Sequence, residues 1–287
     1  MGKSNIFRVA KNEYVKWITN PKMIILLVML IFAYDYVILE LTEAADKMGE
    51  KLQFLEGFIG ISNSQLLLMI IPIVFVGLMG DFPRVDGNAM FYIHRVGKTN
   101  WLLGQIVFAV MACATYLFFL LSFCMLTFFG RCYVGNTWSE VTTKYYIFAP
   151  NDYGSIVANL TTGRLYNNLP PIDAGVHILG LMFLFLLLIS MMLLASFVCK
   201  IRVGGIVAVT AILCIGNVLA YMENQIRWIL PTAHAILELH FDEIYKKPIM
   251  DMRLSYLYYL FLIVICFLIA YLRMDNYDFS KIQEMEE

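Results

Sequence analysis

The chain has 287 residues, 60% of them hydrophobic and only 15% charged, with a formal net charge of −1. A soluble domain carries about 25% charged residues, so this composition excludes an ordinary soluble fold and points to an integral membrane protein. The near-neutral balance supports no nucleic-acid partner, while 17 Tyr, 21 Phe and 4 Trp suit rings facing lipid and its interface.

In chain order, the first expected element is an interface helix over 4–20, SNIFRVAKNEYVKWITN. Phe7, Ala10, Tyr14, Trp17 and Ile18 recur at helical spacing, and Arg8, Lys11, Asn12 and Lys16 line another side. That pattern describes a basic amphipathic helix lying in the membrane surface; a helix packed on another protein is the alternative. Pro21 marks its end by disfavouring helical geometry at Asn20. The apolar run that follows starts only at Met23 and is too long for the core of a cleavable signal.

A spanning helix needs about 20 mainly apolar residues. Six candidate spans follow, near 23–41, 64–80, 101–129, 175–199, 203–222 and 254–272. The fold expected is therefore all-α integral membrane, an N-terminal interface helix plus six transmembrane helices in a single domain. The second span carries Pro72 and Gly77, where a kink is expected. The third is overlong and would tilt or project. Five of the six cysteines lie in apolar runs and none forms a CxxC, which reads as packing rather than metal or redox chemistry.

Lysine and arginine near span ends set orientation. Lys3, Arg8, Lys11, Lys16 and Lys22, then Arg84, Arg95 and Lys98, then Lys200 and Arg202, then Arg273 and Lys281 all fall on one side if six spans are right. That side is expected to be cytoplasmic, with both termini inside. The other side receives 42–63, 130–174 and 223–253. The first of these is acidic, with Glu43, Asp46, Glu50 and Glu56 against Lys47 and Lys51.

Ionisable residues at membrane depth mark functional sites. Asp35 lies about 18 Å along the first span from Met23, and Glu40 follows. Two readings stand: Asp35 and Glu40 line a pathway and meet a cationic group, or the span protrudes and both acids are wet.

The loop 81–100 carries turn signals at Gly80, Pro83 and Asp86-Gly87-Asn88, then AMFYIHRV, then Gly97 and Lys98. A short helix over 86–97 would present Met90, Phe91, Ile93 and His94, flanked by Arg95, to a groove on a cytoplasmic partner.

The layout resembles the permease subunit of ABC-2 type transporters. The matching residues are Gly80-Asp81-Phe82, Arg95-Val96-Gly97-Lys98 and Leu103-Gly104-Gln105 along the loop and into the third span, and Trp228-Ile229-Leu230-Pro231-Thr232-Ala233-His234 between spans five and six. The resemblance covers nearly the whole chain in layout, with degenerate motifs. It implies that the 81–100 loop holds a coupling helix docking on an ATP-binding subunit, with Asp86, Met90, Phe91, Ile93, His94 and Arg95 at the contact. It also implies a re-entrant external segment over 223–253 with Trp228, Pro231 and His234 as gate candidates. The chain departs from the family in its 130–174 loop, where a short link is usual. That loop either caps the exit and contacts substrate or a partner, or is a passive folded connection.

The chain has no GxxxxGK[ST], no HExxH and no GxSxG. No cofactor is expected in this chain; ATP and Mg would sit on the partner subunit. His234 and His240, with Asp242 and Glu243 nearby, read as interface histidines of an external helix, with a metal site as the alternative. Glu223 and Arg227 are spaced to pair across one helical turn. The function expected is a non-enzymatic permease subunit of an ATP-driven exporter in a bacterial cytoplasmic membrane. It would pair with a second permease copy and move an amphipathic or hydrophobic cargo, a peptide being favoured. The alternatives are a membrane enzyme acting on lipid or peptide, and a non-transporting immunity or sensor subunit.

Overall fold

The structure is a computed structural model that describes residues 2–84, 93, 95–150, 157, 160, 162–222, 224–242 and 247–274. It is about 79% helical. Among the described residues five helices are each long and apolar enough to cross a membrane, and a sharply bent pair passes the same test only when its halves are taken together. The protein thus has the make-up of an all-α, multi-pass membrane protein.

Helix α1 is Gly2–Ile18. After it, the Asn20 side chain accepts the Lys22 backbone N–H at 2.9 Å and Pro21 takes the first helical position, so the chain restarts at once. Helix α2 then runs over Pro21–Met48, widening into a π-helical turn over Tyr34–Ile38. It ends at Gly49, whose φ of +70° is a left-handed cap that glycine adopts without a steric cost. The first expected span therefore continues about two turns beyond residue 41.

Helices α3 (Glu56–Asn63) and α4 (Gln65–Leu78) meet at 87°. Ser64 causes the break: its backbone is extended, and its hydroxyl caps α4 by accepting the Leu67 N–H. The sharp break at Ser64 lies N-terminal to Pro72 and Gly77, where the sequence marks a kink, and α4 runs through both of those residues. Fourteen residues give α4 only about 21 Å, short of the hydrocarbon thickness of about 30 Å. Tyr116 donates a 2.8 Å bond to the Ile71 carbonyl beside Pro72, giving that stretch of α4 an anchor outside its own helix.

Helix α5 is Lys98–Thr127, 30 residues, and opens after Gly97 at φ +87°. Between it and the next long helix stand α6 (Glu140–Phe148) and α7 (Gly163–Tyr166). The two-residue strands β1 (Leu52–Gln53) and β2 (Cys132–Tyr133) pair in parallel, Leu52 opposite Cys132. Helices α8 (Pro171–Val198), α9 (Arg202–Ala220), the short α10 (Pro231–Ala235) and α11 (Met252–Met274) follow.

Helix α8 is the centre of the bundle, packed against α5, α9 and α11. Its most apolar stretch is 67% buried, against 17% for α11. The outward side of α11 shows Leu254, Leu257, Phe261, Val264 and Leu268, which suits a helix whose far side meets lipid.

Helix α1 packs on the first half of α5. A Cβ on Gly104 would lie 2.5 Å from Val9, so only glycine lets the two backbones come this close. Tyr14 Oη meets Thr115 Oγ1 at 2.9 Å. The buried stripe of α1 is Val9, Ala10, Glu13 and Trp17, centred one step round the helix from the expected one, and Phe7 stands 66% exposed on the other side with Arg8 and Lys11. The helix surface that the amphipathic pattern marked thus meets mostly the chain's own α5.

Candidate functional site

At one end of the bundle the sequence builds an ion-pair corner. Asp81, three residues past α4, accepts from Lys22 Nζ at 2.6 Å and from Arg84 Nη2 at 3.4 Å. Arg84 Nη1 reaches back to the Lys16 carbonyl at 3.1 Å. Arg202, at the start of α9, donates to the Gly80 carbonyl at 3.2 Å and lies over the Phe197 ring. The hydrogen bond from Lys22 holds the Asp81 carboxyl below the usual carboxylate range, against the opposing effect of partial burial. Next to this corner Phe82 is buried against Phe108, which also meets Trp17 edge-on. Three segments expected to share one side of the membrane, 3–22, 84–98 and 200–202, therefore contribute cations to one end of the molecule.

The residues expected at a coupling contact follow this corner in the chain. Asp86, Met90, Phe91 and His94 lie outside the described residues, as does Asn88. Ile93 is 3% exposed and belongs to the core of its own bundle, so it is not an outward knob as the sequence pattern suggested. Its carbonyl accepts the Gly97 N–H at 2.8 Å, which anchors the segment just before α5 begins. Arg95 is exposed.

Asp35 sits in the π-helical turn of α2 and is exposed on the outside of the bundle, beside the outward rings of Phe32 and Tyr34. Glu40 is half-buried one turn further on. Asp35 therefore faces away from the interior of its own subunit.

The opposite end is closed by side chains that periodicity did not single out. Glu56 reads in the sequence as one of several external acids, yet it is 1% exposed. Its Oε2 accepts the Gln53 N–H at 3.0 Å and its Oε1 accepts the Ser139 N–H at 2.7 Å, so one carboxylate ties the start of α3 to the start of α6. The described start of the 130–174 segment is thereby tied to α3, and Trp138 Nε1 donates to the Leu169 carbonyl at 2.8 Å within the same segment. Glu223 and Glu243 lie outside the described residues.

Between α9 and α11 the structure gathers the three gate candidates. Trp228 packs its ring 5.2 Å from that of His234, and Tyr259 Oη donates to the Pro231 carbonyl at 2.7 Å. His234 and His240 are 2% and 0% exposed, which corrects their reading as interface histidines. Both turn to one hydroxyl: His234 Nδ1 and His240 Nε2 each lie 2.8 Å from Ser255 Oγ. Burial lowers the affinity of both rings for a proton, pushing His240 down to about 4. Among the described residues no group of three or more His, Cys, Asp or Glu side chains could hold a metal ion. In the sequence Ser255, Tyr258 and Tyr259 carry no signal of a site, because on α11 they read as ordinary members of a span. The six cysteines are free thiols, Cys113 and Cys124 buried.

No family model, no curated protein and no solved structure matches the chain.

Proposed function

We propose that this chain is the permease subunit of an ATP-driven exporter of the ABC-2 type, working as a pair of subunits in a cell membrane with separate ATP-binding subunits. The observation that carries the reading is the corner at Asp81. A force applied to the segment 85–97 arrives next to a carboxylate bonded to Lys22 at the head of α2 and a turn bonded to Arg202 at the head of α9. Closure of a motor on that segment would thus bias α2, α4 and α9 together, as a coupling element must if ATP binding is to favour one arrangement of the spans. The layout of an N-terminal helix braced on α5, a broken second span and a short folded segment before the last span supports the same reading. The cargo favoured is amphipathic or hydrophobic, a peptide first. Since Asp35 faces outward, it meets a pathway only where a second copy faces it.

The test is co-purification with the candidate ATP-binding subunit, followed by ATPase and transport assays. Truncating a buried aromatic anchor costs about 2 kcal/mol or more. Phe91→Ala is therefore expected to weaken the complex more than tenfold or to uncouple hydrolysis from transport. Arg95→Glu is expected to do so in a salt-dependent manner. Normal assembly and normal transport in the double variant would overturn the reading.

A further inference from the structure

We infer that His234, Ser255 and His240 form a binding site for one proton, and only one, between the 225–240 segment and α11; this is independent of the permease reading. His234 Nε2 lies 2.9 Å from the Trp228 carbonyl, and His240 Nδ1 lies 3.0 Å from the Ile236 carbonyl. A carbonyl only accepts, so both of these nitrogens carry hydrogen. The remaining nitrogens, His234 Nδ1 and His240 Nε2, both approach Ser255 Oγ at 2.8 Å. Ser255 is fully buried and has one hydroxyl hydrogen to give.

With both rings neutral, two lone pairs face one hydrogen, and one of the two short contacts sets lone pair against lone pair. One added proton removes the conflict. The ring that takes it donates to Ser255 Oγ, and the hydroxyl hydrogen passes to the other ring. A second proton would leave that hydroxyl hydrogen with no ring nitrogen to accept it, and would set two imidazolium charges on either side of one oxygen.

The surroundings act in both directions. The Tyr258 ring stacks on His234 at 4.1 Å, and Trp228 packs against both histidines at 5.2 and 5.1 Å; aromatic faces favour an imidazolium. Burial opposes the charge, and so does Arg227, whose guanidinium lies 5.3 Å from the Trp228 ring centre. Of the other ionisable groups around the site, Glu238 accepts from Thr162 Oγ1 at 2.7 Å, Tyr259 is bonded to the Pro231 carbonyl, Tyr221 donates to the Asn63 carbonyl, and Asp242 follows in the chain. Uptake therefore falls on the acid side of neutrality. The bond it completes joins residues 228–240 to α11, so acidification tightens that junction before it can disrupt it.

Histidine-labelled full-length protein in nanodiscs, followed by nitrogen NMR, tests this. The chain has four histidines, and a His94→Gln, His177→Gln background leaves the pair alone. From about pH 7.5 to about pH 4, the pair is expected to bind a single proton shared between the rings. At neutral pH His234 should carry hydrogen on Nε2 and His240 on Nδ1. Ser255→Ala removes the shared acceptor and should lower the first uptake by about one pH unit, a tenfold loss of proton affinity, while Ser255→Thr restores it. Two protons bound together, none bound at all, or an unchanged first uptake in Ser255→Ala would each overturn the inference. The stoichiometry in the otherwise unsubstituted pair decides the matter even if Ser255→Ala does not fold.

Discussion

Lys22 Nζ stands 2.6 Å from Asp81 Oδ2, joining the residue that leads into α2 to the corner that follows α4. Both side chains are nearly half exposed, so solvent screens the pair and it is worth about 0–1 kcal/mol to stability. Asp81→Asn should therefore shift thermal unfolding by only a few degrees, yet, if the permease reading holds, reduce the coupling of ATP hydrolysis to transport. The exchange Lys22→Asp with Asp81→Lys should recover coupling. Because Lys22 favours the ionised Asp81 carboxylate, the contribution is complete at neutral pH and is lost as pH falls from the ordinary 3.8 through the lower folded-state value. A melting-temperature profile that is already sloping at pH 6 because of Asp81 would contradict this.

The contact between α1 and α5 depends on Gly104. Gly104→Val forces side-chain atoms into Val9, and overpacking of this kind costs about 1–3 kcal/mol. We expect lower thermal stability and faster tryptic cleavage at Lys11 and Lys16. Val9→Ala in the same chain should return part of the loss, since it removes the atoms that Gly104→Val meets. An independent sum of the two effects would show that the helices do not touch there.

Glu56 separates a buried acceptor from a surface charge. Glu56→Ala leaves the Gln53 and Ser139 N–H groups without their carboxylate, each at about 1–3 kcal/mol. Chemical unfolding should register that loss, and limited proteolysis should open the 130–170 segment. Glu56→Gln keeps one acceptor oxygen and should fall between the two. Equal stability of all three proteins would mean that the carboxylate is solvated.

Single-cysteine labelling in a background without the native thiols tests the orientation. An impermeant reagent should reach Val134→Cys, which is 84% exposed, from outside intact cells. Arg95→Cys and Lys200→Cys should react only after the cells are opened. Ser139, at 2% exposure, would report burial rather than sidedness. Labelling of Arg95→Cys from outside would reverse the topology and remove the coupling reading with it.

Asp35→Asn should leave stability within about 0.5 kcal/mol, as for other exposed positions away from packed features. If a second copy completes a pathway at α2, the same change should alter transport of cationic cargo relative to neutral cargo. An identical cargo profile would make Asp35 a lipid-interface or solvent-facing acid only.

Composition by itself determined that this chain builds membrane helices, and apolar run length placed α5, α8, α9 and α11 to within a few residues, since both are local properties of the chain. Pro21 likewise marked the end of α1, because proline restricts the residue next to it. Tertiary structure alone decided the rest. Pro72 and Gly77 carry the stronger breaking signals, yet the chain bends at Ser64, where Gly57 and Gly60 let α3 lie close against Ile38, Phe128 and Val37. Glu56 and the histidine pair look like solvated polar residues in sequence. They are buried because partners 15 to 83 residues away supply the hydrogen bonds that offset the cost of leaving water. Phe7 belongs by period to the same face as Tyr14, but the close approach at Gly104 turned α1 by one step and left Phe7 outside. Periodicity defines a stripe on a helix; the shape of the surface it meets fixes which edge of that stripe is covered.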